Sequence, residues 1–313
     1  MFYNHQMKCN KTAIIIHGGG IKGTFSAGVA HGLSEIGIET ADIMIGVSSG
    51  LPTMAYFATQ QCEFMKHIWV DEIGNRRFIS YKNFLFGKSI FNLRYLIDEV
   101  FRKKYPLQIS GIIQSPSEFF MPLLNYETGA LRLLSNHEIK SEEIFWKSLQ
   151  ATITVHDSYI DWGGPLEKFV DADLDPFALY RQRHIPKGWN VLVVVNHTEL
   201  HKTVRRWIGV RLFRAFQARH FPKGIKNLLQ KRGELIDSGM KLFDQFQKEY
   251  RPVIIQPSVE TKLNIRSLID RDRIRLRSVF EEGRNAILRL KKDDKAYNQL
   301  LVFQERSRNL MRK

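Results

Sequence analysis

The chain has 313 residues, 43% of them hydrophobic and 25% charged. That is enough apolar material for a sizeable core, and it excludes general disorder and a small stapled scaffold. The formal net charge of +15 is unevenly placed, with 19 Lys or Arg against 20 Asp or Glu in residues 1–200 and 28 against 12 in residues 201–313.

Met1 to Asn10 holds no apolar run long enough for an export signal, and no transmembrane helix is expected. A cytoplasmic location, peripheral at membranes, is the expectation. Ala13-Ile14-Ile15-Ile16 is a β-branched run that predicts a buried strand, and the glycine-rich His17-Gly18-Gly19-Gly20-Ile21-Lys22-Gly23 follows at once. Thr24 to Ile36 has helical spacing. Asp42-Ile43-Met44-Ile45 predicts a second strand, followed by Gly46-Val47-Ser48-Ser49-Gly50. Phe169-Val170 and Val191 to Val195 are further strand candidates, and strands alternating with helices predict an α/β fold with a mostly parallel sheet covered on both faces. Beyond about residue 200 the pattern becomes helical and basic, broken by one strand-like run at Pro252-Val253-Ile254-Ile255. Residues 12–200 are therefore taken as an α/β core, with 201–313 as a basic, mainly helical extension packed on it. Cys9 and Cys62 are too few for a disulfide framework and lack close metal-ligating partners, so a reducing compartment is expected and structural zinc is not.

Glycines at a strand-to-helix junction let backbone approach a ligand and leave N–H groups free at a helix N-terminus, where negative charge is stabilised. Gly18, Gly20 and Gly23 also satisfy G-x-G-x-x-G, so a dinucleotide site is one reading. The second strand, however, ends in Gly46-Val47-Ser48 rather than in an acidic residue that reads a ribose. Gly46-x-Ser48-x-Gly50 between strand and helix is the setting of a nucleophile elbow, with Ser48 exposed on a tight turn and small neighbours admitting close backbone contact. A serine nucleophile needs a base. Asp171, first after the short strand Phe169-Val170, is the choice. Asp173 and Asp175 suit turn positions, and His184 and His197 stay open as members of a Ser-Asp-His triad.

Taken together, Gly18 to Gly23, Gly46 to Gly50 and Asp171 resemble the patatin-like phospholipases. The resemblance extends to Phe78 to Pro106, Asn125-Tyr126-Glu127-Thr128-Gly129 and Val279-Phe280-Glu281-Glu282-Gly283. It implies a three-layer α/β/α core and a serine acyl hydrolase acting on lipid esters, of phospholipase A, lysophospholipase or lipase type. It further implies Ser48 as nucleophile, Asp171 as base, and the loop Gly18, Gly19, Gly20, Ile21, Lys22 and Gly23 as oxyanion hole, with Gly19, Gly20 and Ile21 supplying amides. No metal or organic cofactor is implied. One departure stands out: the family usually has glycine after the base, whereas here Asp171 is followed by Ala172 and Asp173. If that turn needs positive φ, Ala172 is strained by about 1–2 kcal/mol. A catalytically impaired lipid-surface protein is the alternative.

Val204 to Phe221 interleaves Arg205, Arg206, Arg211, Arg214 and Arg219 with Trp207, Phe213 and Phe216, and Arg271, Arg273, Arg275 and Arg277 form a second basic run. Residues 204–221 and 271–277 are expected to meet an anionic membrane surface, the contrary reading being solvated helix faces. No recognised nucleic-acid module accompanies them, so no specific nucleic acid is expected.

Overall fold

The computed structural model describes residues 10–80, 90–153, 169–175, 177–197, 223–261, 263, 267 and 269–312. The run Thr12–Ile16 forms β1 at the centre of a seven-stranded sheet ordered β4-β3-β2-β1-β6-β7. The other strands are β2 (Ile43–Gly46), β3 (Glu118–Asn125), β4 (Leu131–Ser135), β5 (Phe169–Asp171), β6 (Asn190–Val194) and β7 (Val253–Ile255). β1 pairs in parallel with β2 and β6, and β2 with β3, so its apolar side chains are buried on both faces. Ile14 and Ile16 point into one hydrophobic layer, while Ala13 and Ile15 point into the other.

The first layer is built by α1 (Gly23–Glu35), α2 (Gly50–Ala58), α3 (Glu142–Ile153), α6 (Arg273–Leu290) and α7 (Asp294–Met311). The opposite layer is built chiefly by α5 (Arg232–Tyr250), whose Ile236, Phe243 and Phe246 pack with Phe177 and Tyr180. The fold is thus a three-layer α/β/α sandwich with a mostly parallel sheet, and β7, drawn from the basic last third, is a strand of that same sheet.

Two strands, β3 and β4, escaped the sequence reading. β3 carries Pro122, which lacks an N–H and argues against a central strand. The proline is accommodated because β2 pairs with β3 only as far as Phe120 and β5 pairs from Leu123, leaving Pro122 in the gap between the two partners on that edge. β5 is antiparallel to β3, with Asp171 opposite Leu123. This places Asp171 above the end of β2, where the chain turns into α2.

Glycine decides one helix crossing. A Cβ at Gly28 of α1 would stand 1.9 Å from Phe280 O, and one at Gly283 of α6 would stand 2.0 Å from Phe25 O. The two backbones are in direct contact. Gly23 at the start of α1 abuts Trp69 and Arg273 at the start of α6 donates to Asp71 O, so both helices begin beside the same segment, at the same end of the sheet. α7 is fastened at the other end, where the Arg306 guanidinium and Lys11 Nζ bond the Asp42 carboxylate and Ser307 Oγ accepts from the amides of Glu39 and Thr40.

Candidate active site

The chain leaves β1 at Ile16 and enters α1 at Gly23 through a short 3₁₀ turn, Gly20–Lys22. Gly19 has φ 145° and Gly20 φ 58°, values that a side chain disfavours. Gly18 serves differently, since a Cβ there would come within 2.7 Å of Ser48 Cβ and 3.1 Å of Asp173 Cγ. The loop therefore lies against the serine turn. At that turn a Cβ at Gly46 would stand 2.6 Å from Leu51 Cα, and one at Gly50 2.5 Å from Ile16 O. Both glycines let α2 fold back onto the strands.

Ser48 itself has φ 50°, a left-handed conformation that costs a non-glycine residue about 1–2 kcal/mol. Its hydroxyl donates to Asp171 Oδ2 at 2.5 Å, in a setting where Ser48 is 5% and Asp171 2% exposed. The other carboxylate oxygen, Oδ1, accepts the Asp173 amide at 2.8 Å, an N-cap bond at the start of the 3₁₀ turn Ala172–Leu174. Ala172 is not among the described residues with positive φ. Alanine is unstrained there, and the departure from glycine after Asp171 carries no conformational penalty.

The basic groups near the loop form their own buried cluster. Lys22 is 1% exposed, and its Nζ lies 3.3 Å from His197 Nδ1. Burial pulls the Lys22 ammonium down to about 8, and the charge of Asp173 opposes that fall. Burial holds His197 at about 3, with Lys22 and His17 adding to the depression, and holds His17 at about 4. Both imidazoles are neutral at pH 7. His17 Nε2 sits 2.5 Å from Tyr180 Oη, and exposed His184 meets the Phe120 ring edge-on at 4.4 Å. Ser48 thus bonds to a carboxylate while His197 and His184, the triad candidates, are placed against Lys22 and Phe120.

Three neighbours of the site carried no sequence signal that singled them out. Asn196, two residues past β6, donates its side-chain amide to His17 O and Gly18 O. The Trp69 ring abuts Gly23, and it belongs to a π-helical stretch, His67–Glu72. Ser49 Oγ points at the same glycine and is buried without a hydrogen-bond partner. A polar residue after a strand or a tryptophan in a helix has no spacing pattern to announce it.

Cys62 is buried, its thiol pushed up to about 12 by desolvation, and Cys9 lies outside the described residues. Among the described residues no group of three or more His, Cys, Asp or Glu side chains is arranged to hold a metal ion, and no helix is long and apolar enough to cross a membrane. A family model for patatin-like phospholipases matches residues 14–215. No curated protein matches the chain.

Proposed function

Because the chain belongs to the patatin-like phospholipase family, whose members are lipid acyl hydrolases, we propose that it cleaves carboxylic esters of lipids with a Ser48/Asp171 dyad. The observation that carries this reading is the 2.5 Å hydrogen bond from Ser48 Oγ to Asp171 Oδ2 on a left-handed strand-to-helix turn beside the glycine loop. Asp171 accepts the Ser48 proton as the oxygen attacks the ester carbonyl. The amides of Gly19, Gly20 and Ile21 receive the developing oxyanion. Gly20 and Ile21 open a 3₁₀ turn, so their N–H groups have no carbonyl within that turn to bond. Each such donor is worth about 3–4 kcal/mol in comparable sites. The same carboxylate then returns the proton to the leaving alcohol, and water releases the fatty acid.

A cleft of about 430 Å³ lined by Leu123, Leu134, Ile144 and Phe169 together with Lys140 and the Arg132–Glu138 ion pair supports an acyl chain as part of the substrate. Phe169 lies two residues before Asp171, on the same face of β5. Membrane contact is the second element of the proposal. α6 begins at the same end of the sheet as the glycine loop, and Ile274 in its first turn is 84% exposed. Of the surrounding arginines, Arg273 donates to Asp71 O and Arg275 pairs with Asp270. Residues 204–221, the other basic stretch, lie outside the described residues.

The test is labelling by a fluorophosphonate probe together with turnover of a short nitrophenyl ester. Ser48→Ala should abolish both, and Asp171→Asn should lower kcat by about 100-fold to 10,000-fold. Retained turnover in Ser48→Ala would remove that serine from the mechanism.

A further inference from the structure

Asn196 is fully buried, and its side-chain nitrogen lies 2.7 Å from His17 O, 3.2 Å from Gly18 O and 3.3 Å from Ser26 Oγ. Ser26 Oγ in turn donates to Gly23 O, so the amide ties the glycine loop to the first turn of α1. The loop is held between two residues. A Cβ at Gly18 would touch Ser48 Cβ at 2.7 Å, whereas a Cβ at Gly19 would touch Asn196 Cβ at 3.1 Å. Ser48 is in front and Asn196 behind.

Peptide planarity converts this arrangement into an aim. Among the described residues no peptide bond is cis, so each carbonyl points opposite to the N–H that follows it. When Asn196 draws the carbonyls of His17 and Gly18 towards itself, the N–H groups of Gly18 and Gly19 turn away from it, towards the side on which Ser48 stands. Gly19 needs this restraint more than most residues, because without a Cβ its φ of 145° is one of many accessible values. Asn196 Oδ1, meanwhile, is buried without a partner. An apolar side chain would fill the same place without stranding an acceptor, so what the amide adds is orientation of the two carbonyls.

We infer that Asn196 is a positioning residue that aims the Gly19 amide at the oxyanion and sets the start of the 3₁₀ turn carrying Gly20 and Ile21. The inference rests on the dyad reading above and concerns the part of that site that binds negative charge. Asn196 touches no reacting atom. Its effect is felt when charge develops on the carbonyl oxygen, so its loss lowers kcat rather than substrate binding.

The experiment compares wild type with Asn196→Asp, which keeps the shape but removes the amide hydrogens, and with Asn196→Ala. Active sites are counted by end-point fluorophosphonate titration. Nitrophenyl butyrate hydrolysis and inhibition by a trifluoromethyl ketone, which forms an oxyanion on Ser48, are then measured. A misplaced donor costs about 100-fold, so kcat should fall by that order with KM within about twofold, and the ketone should bind more weakly by a similar factor. Unchanged kcat and ketone affinity would overturn the inference, as would a loss confined to KM. Should both variants fail to fold, Ser26→Ala removes one contact of the amide and must weaken kcat and ketone binding together by a smaller, equal factor. No change in either would again overturn it. A wild-type protein that neither labels nor turns over would sink the hydrolase reading itself, and this inference with it; an active wild type with unaffected variants sinks this inference alone.

Discussion

Replacing Ala172 by glycine restores the residue common in the family at that position, yet the structure requires it to be harmful. Ala172 lies in a 3₁₀ turn without positive φ and is 3% exposed. It belongs to a small buried apolar cluster with Val47, Leu124, Val170, Leu174 and Ile225, the last contributed by α4 (Lys223–Gln230). Glycine would add backbone freedom to the unfolded chain, about 0.5–1 kcal/mol, and remove one buried methyl, about 0.8 kcal/mol. The sum is about 1.5 kcal/mol, which for a chain of this length lowers Tm by about 2 °C. The turn also supplies the Asp173 amide that holds Asp171 Oδ1, so kcat on a soluble ester should fall rather than rise. Urea denaturation with activity measured on the same preparations checks both points. An Ala172→Gly protein as stable as wild type or more so would show that residue 172 is strained as alanine, contrary to its φ.

Three further changes have defined outcomes. Burial alone would raise the Asp42 carboxyl, but bonds from Arg306, Lys11 and the Thr12 amide hold it at about 2. Its stabilising contribution is therefore complete above about pH 4 and lost as pH falls through 2, and Arg306→Ala should cost about 3 kcal/mol at pH 7 in denaturant melts, with the deficit shrinking in acid. Gly28→Ala forces a methyl to within 1.9 Å of Phe280 O, so despite the better helix propensity of alanine it should destabilise by about 3 kcal/mol, measured as a lower urea midpoint. The Lys22 ammonium is held at about 8 against 10.5, a group that binds its proton less readily when folded. Lys22→Met should thus raise the urea midpoint at pH 7, and its advantage should shrink between pH 8 and 10.5 as wild type sheds the buried charge; an advantage that grew with pH would contradict the burial of Lys22.

The parts of the site that were legible in the sequence are those where backbone geometry demands a residue type. Gly19 and Gly20 need positive φ, and Gly18, Gly46 and Gly50 leave no room for a Cβ, so the spacing of glycines around Ser48 records the contacts they permit. Asp171 was legible because a short strand ends there. Other features depend on partners far away in the chain. Asn196 acts through carbonyls 178 and 179 residues earlier. β3 survives its proline only because two different strands share one of its edges. The histidines were ambiguous for the same reason: the burial that neutralises His17 and His197 comes from tertiary packing, which spacing does not encode.

The direct contact between the α1 and α6 backbones also orders events in time. Residues 17–50, which hold the loop and Ser48, leave the ribosome before α6, but Gly28 and Gly32 on α1 remain bare until Phe280, Arg284 and Ile287 of α6 arrive to cover them. β6, which brings Asn196, pairs with β7 at residues 253–255 shortly before that. A nascent chain arrested near residue 250 would therefore carry every residue of the Ser48 turn while lacking the helix that holds α1 in place. The helix that follows the glycine loop is in this way seated only when a segment far later in the chain folds against it.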